Sequence, residues 1–330
     1  MSAPGSSPAS PIYGFHGRLT ADFPSQVIVD VTEVCNLACI HCPHPEFKKS
    51  EHYDARYLDP ELNAKMVNEV KAHGTGRTQY IRYTSNGEPL VHPKGYEMID
   101  YAVRESGVFV TLTTNGTIMN EKRTQKLLDS GIHMVDISID AFTPGTYAKV
   151  RVNGDLNVTR GNVLRLISWI RQSKSPTKVV VSFVEQPQNR HEAAEFEAYW
   201  KDQGVDYVVV RRLHSAAGAV IDIAKIMRTQ QAREPRRACV YPWERISLNP
   251  SGHLAFCPTD WVHGSTIVDY RTTTIVETWQ SEFYQKLRQA HLTNTYDTHR
   301  FCGQCPDWKQ TRWPGEGRGY ADMVEELRQG

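Results

Sequence analysis

"SQVIVDVTEVCNLACIHCPHP", residues 25–45, joins an apolar, β-branched run to a loop carrying three cysteines, Cys35, Cys39 and Cys42. A run this continuous in hydrophobicity suits a strand buried on both faces of a parallel sheet. Five more runs of the same kind follow: "QYIRYT" (79–84), "VFVTLTTN" (108–115), "MVDISID" (134–140), "KVVVSFVE" (178–185) and "DYVVVRRL" (206–213). Segments of helical period separate them. The clearest, "LDPELNAKMVNEVKAHG" (58–74), offers Asp59 as a cap, Pro60 at the first helical position, Leu62, Met66 and Val70 on one face, and Gly74 as a stop. Similar segments occupy about 93–106, 120–130, 159–173 and 190–203. Strand alternating with helix predicts an α/β fold of right-handed parallel units, either an open doubly wound sheet or a full or partial barrel. In both architectures functional groups follow the carboxyl ends of strands, and Cys35, "NGEP" (86–89), Asn115, "SID" (138–140) and Arg211 all do.

The totals narrow the class. Lys plus Arg number 38 against 37 Asp plus Glu, a net charge of +1, so no general positive excess exists to hold a nucleic acid. The opening "MSAPGSSPASP" has neither a basic n-region nor an apolar h-region and reads as part of a disordered tail, residues 1–21. No stretch reaches the roughly 18 uninterrupted apolar residues of a membrane span. A soluble, cytoplasmic protein is expected, without a membrane or nucleic-acid partner; there thiols stay reduced and clustered cysteines hold metal more often than disulfides.

Three cysteines in one loop are therefore thiolate ligands for an iron-sulfur cluster or for zinc. Three thiolates on a four-iron core leave one iron open, and an open position is where a metal centre does chemistry. The competing reading is a zinc site completed by His41 or His44. The loop "CNLACIHC" resembles the signature of the radical S-adenosylmethionine (SAM) superfamily, whose fold is a partial (β/α)6 TIM-like barrel. The resemblance implies SAM on a site-differentiated 4Fe-4S cluster, cleaved to a 5'-deoxyadenosyl radical with an electron from a low-potential donor such as flavodoxin or ferredoxin. It extends to further positions. "SNGEP" is similar to the family's Gly-Gly-Glu motif at Gly87 and Glu88, with Asn86 in place of the first glycine. Ser138 and Asp140 resemble the serine and acid after the fourth strand, and Arg151 resembles an arginine that pairs with the SAM carboxylate. With Asn115, these are the expected SAM contacts, and the barrel covers roughly 22–215.

Past residue 215 the pattern changes. "AKIMRTQQAREPRR" (224–237) reads as polar sequence in a connector spanning 216–236, and four cysteines follow: Cys239, Cys257, Cys302 and Cys305. Spacing alone allows zinc or an iron-sulfur cluster. The segment 237–310 resembles the twitch domain, a short form of the SPASM domain, which implies a smaller α+β domain with one fully ligated auxiliary 4Fe-4S cluster; 311–330 is a tail or helix. Three plus four uses all seven cysteines, so no thiol remains to return a hydrogen atom, which disfavours cysteine-quenched epimerisation. The layout is similar to that of 2-deoxy-scyllo-inosamine dehydrogenase-type enzymes, and it implies net oxidation of a small hydroxylated substrate (sugar, aminoglycoside or cyclitol) with the electron passing to the auxiliary cluster. Glu185, Arg211 and His214, at the ends of the fifth and sixth strands, are the candidate catalytic residues; of adjacent Arg211 and Arg212, alternation sends one inward. Asp260 is expected to orient its loop. The alternatives are redox-neutral dehydration or epimerisation, a peptide-modifying twitch or SPASM enzyme, and a zinc-stabilised binding module.

Overall fold

The computed structural model describes residues 12–84, 86–231 and 235–329. The six apolar runs form strands β1 (Gln26–Asp30), β2 (Tyr80–Thr84), β3 (Phe109–Thr114), β4 (Met134–Ser138), β5 (Lys178–Glu185) and β6 (Tyr207–Arg212). Each pairs in parallel with its sequence neighbour, giving the order β6-β5-β4-β3-β2-β1. Alternation then divides the side chains. Val27, Val29, Ile81, Tyr83, Val110, Leu112, Val135 and Val181 join the large core beneath the helices, while Ile28, Tyr80, Met134 and Val180 form a separate cluster on the inner face. The fold is thus the expected partial barrel. Its first helix begins as the sequence predicts: Pro60 opens Pro60–Glu69, and the Asp59 side chain accepts from the Glu61 amide at 2.9 Å. A π turn, Val70–Gly74, carries it to its stop.

The sheet does not end with the sixth unit. β7 (Arg245–Leu248) adds in parallel to the free edge of β1, and β8 (His253–Ala255) and β9 (Thr266–Asp269) follow antiparallel, so one nine-stranded sheet crosses the expected domain boundary. Helix Glu282–Thr293 packs behind this extension through Tyr284 and Leu287.

Three segments differ from expectation. The connector contains a helix, Ile221–Gln231, with Ala224 and Met227 buried at a three-residue spacing; residues 232–234 of the connector lie outside the described residues. Of the expected tail, residues 1–11 lie outside the described residues, but 12–21 are packed: Leu19 is buried with Trp243 and Trp313, and the Tyr13 and His16 rings lie against Trp313. The last helix, Tyr320–Gln329, is not peripheral. Its Ala321, Met323 and Val324 insert among Ile28, Tyr80, Met134 and Val180, filling the barrel at the amino ends of its strands. That leaves the carboxyl ends as the place for a cavity.

Candidate active site

A cavity of about 1460 Å³ opens there, and all seven cysteines line it. Burial pushes the Cys35 and Cys42 thiols up to about 12, and Cys39 likewise upward. Burial also raises Cys302 and carries Cys239, Cys257 and Cys305 to about 12. Thiols so desolvated stay protonated unless a metal centre supplies the countercharge, which is what a thiolate-ligated iron-sulfur core does. The two histidines proposed to complete a zinc site have other partners. His44 Nε2 meets the Glu33 carbonyl at 2.8 Å. His41 stands 3.4 Å from Asp140 Oδ2, with Gln186 Nε2 3.2 Å from its Nδ1, and burial pushes it down to about 4, so it is neutral.

The expected SAM contacts divide into open and engaged groups. Gly87 is required by close approach: a Cβ there would lie 2.2 Å from the Thr32 carbonyl oxygen and 2.6 Å from that of Val34. The backbone of the motif can therefore press against the start of the cysteine loop, and the Glu88 amide donates to the Val34 carbonyl at 2.9 Å. Glu88 itself is buried. Its carboxylate accepts from the Thr114 hydroxyl at 2.6 Å and from the Asn115 and Leu90 amides at 2.7 and 3.1 Å, so it braces the ends of β2 and β3. Asn115 Nδ2 donates to Asn36 Oδ1 at 2.9 Å, tying β3 to the cysteine loop. Ser138, 3.3 Å from the Ser182 hydroxyl, lines the cavity with its polar atom less committed.

Asp140 and Arg151 are each other's partners. Arg151 Nη2 lies 2.5 Å from Asp140 Oδ2, both side chains are buried, and the other Asp140 oxygen accepts from the Val184 amide at 2.7 Å. Arg151 Nη1 is 3.6 Å from Cys39 Sγ. The pair thus anchors the first cysteine loop to β4 and β5. Asp140 adopts a positive φ of 63°, where a short polar side chain can bond locally.

Of the candidate catalytic residues, Glu185 is corrected. It lies on the outward parity of β5 with Val181 and Phe183, is exposed, and does not line the cavity. Arg211 is half-buried and Arg212 exposed, yet both line the cavity, contrary to the expectation that one alone would, and Arg211 Nη2 meets Asp136 Oδ2 at 2.5 Å. His214 lines the cavity, and its Nδ1 accepts from the Ala216 amide at 3.0 Å. In a neutral ring that leaves the proton on Nε2. Arg82, Asp136 and Tyr320 were not singled out from sequence; the available signal was a charge at an inward parity inside the apolar runs "QYIRYT" and "MVDISID".

The second cysteine set is sewn to the barrel at three points. Asn86, standing where the family motif has glycine, donates from Nδ2 to the Asp260 carbonyl at 2.9 Å. The Asp260 carboxylate accepts from the amides of Val262, Gly264 and Ser265, holding its loop as expected. Trp261 packs edge-on against Phe47 just past the first cysteine loop, and Asp307, two residues after Cys305, accepts from the Ser215 and Ala217 amides beyond β6.

Known proteins share these features. The model of the radical SAM superfamily matches residues 29–197, and that of an iron-sulfur cluster-binding domain, SPASM, matches 239–306. A probable GTP 3',8-cyclase of Methanococcus maripaludis is 31% identical over 139 residues, 42% of this chain and 44% of that protein. An AdoMet-dependent heme synthase of Methanosarcina barkeri is 29% identical over 128 residues, 39% of this chain and 34% of that one. This chain thus spans less than half the length of these curated relatives. Among solved structures, BtrN in complex with AdoMet and 2-DOIA shares the fold at a TM-score of 0.56 and 16% identity, over 85% of this chain and 92% of that one. SuiB of Streptococcus suis, bound to the precursor peptide SuiA, does so at 0.64 and 12%, over 92% and 73%.

Proposed function

The chain belongs to the radical SAM superfamily, and from that premise we propose that it oxidises a secondary alcohol on a small hydroxylated substrate, as a dehydrogenase-like member with an electron-accepting auxiliary cluster. It is a radical SAM enzyme with a SPASM domain, and its cofactors are SAM and 4Fe-4S clusters. Bound together, these groups supply a 5'-deoxyadenosyl radical for hydrogen abstraction and a second site able to take an electron. We assign Cys35, Cys39 and Cys42 to the SAM-binding cluster and Cys239, Cys257, Cys302 and Cys305 to the auxiliary one. One observation carries the proposal: both cysteine sets line the same cavity, so a substrate radical formed beside the first set is within the enclosure of the second.

The chain's own residues then have separable tasks. Gly87 lets the motif backbone approach the cysteine loop, Glu88 and Asn115 hold that approach rigid, and Asp140 with Arg151 fixes the loop from beneath. Ser138 presents a hydroxyl to SAM. His214 serves as a hydrogen-bond donor to the substrate oxygen, since its Nδ1 is taken by Ala216. Arg211 faces the same cavity from β6. Ile40, exposed between Cys39 and His41, marks the side from which a flavodoxin- or ferredoxin-type donor would reach the first cluster. The test is a Cys257→Ser/Cys305→Ser double variant, assayed anaerobically with SAM, dithionite and cyclitols or sugars deuterated at carbinol carbons. Expected are continued formation of 5'-deoxyadenosine and loss of the ketone product. Undiminished ketone formation without the second cluster would refute the electron-acceptor role.

A further inference from the structure

Deep in the barrel, Arg82 of β2 and Arg211 of β6 share one carboxylate, Asp136 of β4. Asp136 is fully buried; its Oδ2 lies 2.5 Å from Arg211 Nη2 and 3.6 Å from Arg82 Nη2. Two guanidinium groups on one carboxylate leave one positive charge unmatched, and a charge enclosed in protein is costly until an anion meets it. Asp136 Oδ1 is buried without a hydrogen-bond partner, an acceptor that a hydroxyl of the ligand, not its anionic group, would satisfy. Both arginines line the cavity and keep part of their surface open to it, with side chains 15% and 28% exposed. They are also held in place. The Arg82 guanidinium lies 3.8 Å from the Tyr320 ring centroid and donates to Thr113 Oγ1, and Arg211 lies 5.3 Å from the same ring, which rises from the helix that fills the barrel.

The arginines that act on the cysteines are others: Arg151 on the first set, Arg236 and Arg245 on the second. Any countercharge the clusters require is thus supplied elsewhere. Ten arginines and one lysine line the cavity against three carboxylates among its described residues, and seven of those arginines are ion-paired, so the unmatched charge is concentrated where two of them share one carboxylate. A cationic aminoglycoside is a poor match for such a lining.

We propose that Arg82 and Arg211 form an oxyanion subsite, and that the substrate is a hydroxylated small molecule carrying a phosphate ester or a carboxylate, seated with that group on the arginine pair and its hydroxyl-bearing carbons toward the cysteine loops. Planar guanidinium forks suit either oxyanion. The assignment rests on the reading that the cavity takes a small hydroxylated substrate.

The test is calorimetric binding to the cluster-reconstituted, SAM-loaded protein, with glucose 1-phosphate, glucuronate, inorganic phosphate and neutral glucose as probes. At least one anionic sugar should bind tenfold or more tighter than glucose, on the order expected of a charge-assisted contact, and which one does so separates phosphate from carboxylate. Arg82→Met and Arg211→Met should each lower that affinity about tenfold and leave SAM affinity unchanged, and Arg82→Lys should restore part of it. Asp136→Asn should raise anion affinity, a sign that misfolding cannot produce. Glucose binding as tightly as both sugar anions would overturn the proposal. So would a loss of SAM affinity in the arginine variants with anion binding intact, since the pair would then belong to the SAM carboxylate. No turnover is required, so anion binding without alcohol oxidation would sink the oxidation reading and leave this one standing.

Discussion

At the scale of single residues, Arg151 shows how a motif match can carry a structural task as well. The sequence marks it as a contact for the SAM carboxylate; in the fold its Nη atoms meet Asp140 and Cys39 Sγ, while its Nε is buried without a hydrogen-bond partner and the residue lines the cavity. Arg151→Ala would leave the Asp140 carboxylate buried without its cation, a defect expected to cost about 3–5 kcal/mol of folding stability in urea titrations, with Arg151→Lys recovering part of it. A change below about 1 kcal/mol would mean that the pair is dispensable to the fold. Sequence located both residues because they follow consecutive elements of a recognisable order. Their pairing was hidden because it depends on a positive φ at Asp140 that turns the side chain back under the loop. Asn86 is the reverse case. In sequence it was a flaw in the Gly-Gly-Glu pattern; in the fold its side-chain amide reaches the auxiliary loop at Asp260.

At the scale of elements, local pattern carried far where burial was uniform. The six strand runs were legible because each is rich in apolar, β-branched residues, and the structure trims most of them by one or two residues at their ends. Helix Ile221–Gln231 was not legible, since it buries Ala224 and Met227 while Ile221 and Ile226 remain exposed, leaving no clean apolar stripe to read. The turn after β2 makes a prediction at this scale. His92 Nε2 donates to the Leu58 carbonyl at 2.9 Å and its Nδ1 accepts from the Lys94 amide at 3.0 Å, fixing a neutral tautomer. Burial lowers its pKa below the usual 6.5. The unfolded chain therefore takes up a proton first as the pH falls, so this contribution to stability is complete above about pH 6.5 and is lost below it. Urea midpoints should fall between pH 7.5 and 5.5, and by less in His92→Gln; an equal fall in both would remove His92 from the account.

At the scale of the whole molecule, the two cysteine sets line one cavity, and the proposed function makes them separate iron-binding units. Anaerobically reconstituted protein should carry about eight irons, and a Cys35→Ala/Cys39→Ala/Cys42→Ala variant about four. Four irons falling to none, with zinc retained, would make the second unit structural and leave the electron without a destination. The existence of two units was legible from cysteine spacing. Their union in one sheet was not, because the pairing of β7 with β1 joins residues more than two hundred positions apart, beyond the reach of any local pattern.

That pairing, from Gln26↔Arg245 to Val29↔Leu248, has a consequence for engineering. A strand buried on both faces can be regrafted against its neighbour only in steps that preserve which side chains face which layer, two residues at a time, and each step displaces whatever it carries by about 6.6 Å. Chimeras that exchange the C-terminal segment between relatives should accordingly work at discrete splice points and fail between them. The spacing between the two cysteine sets is in this sense toothed like a rack, adjustable by notches rather than by the length of a tether.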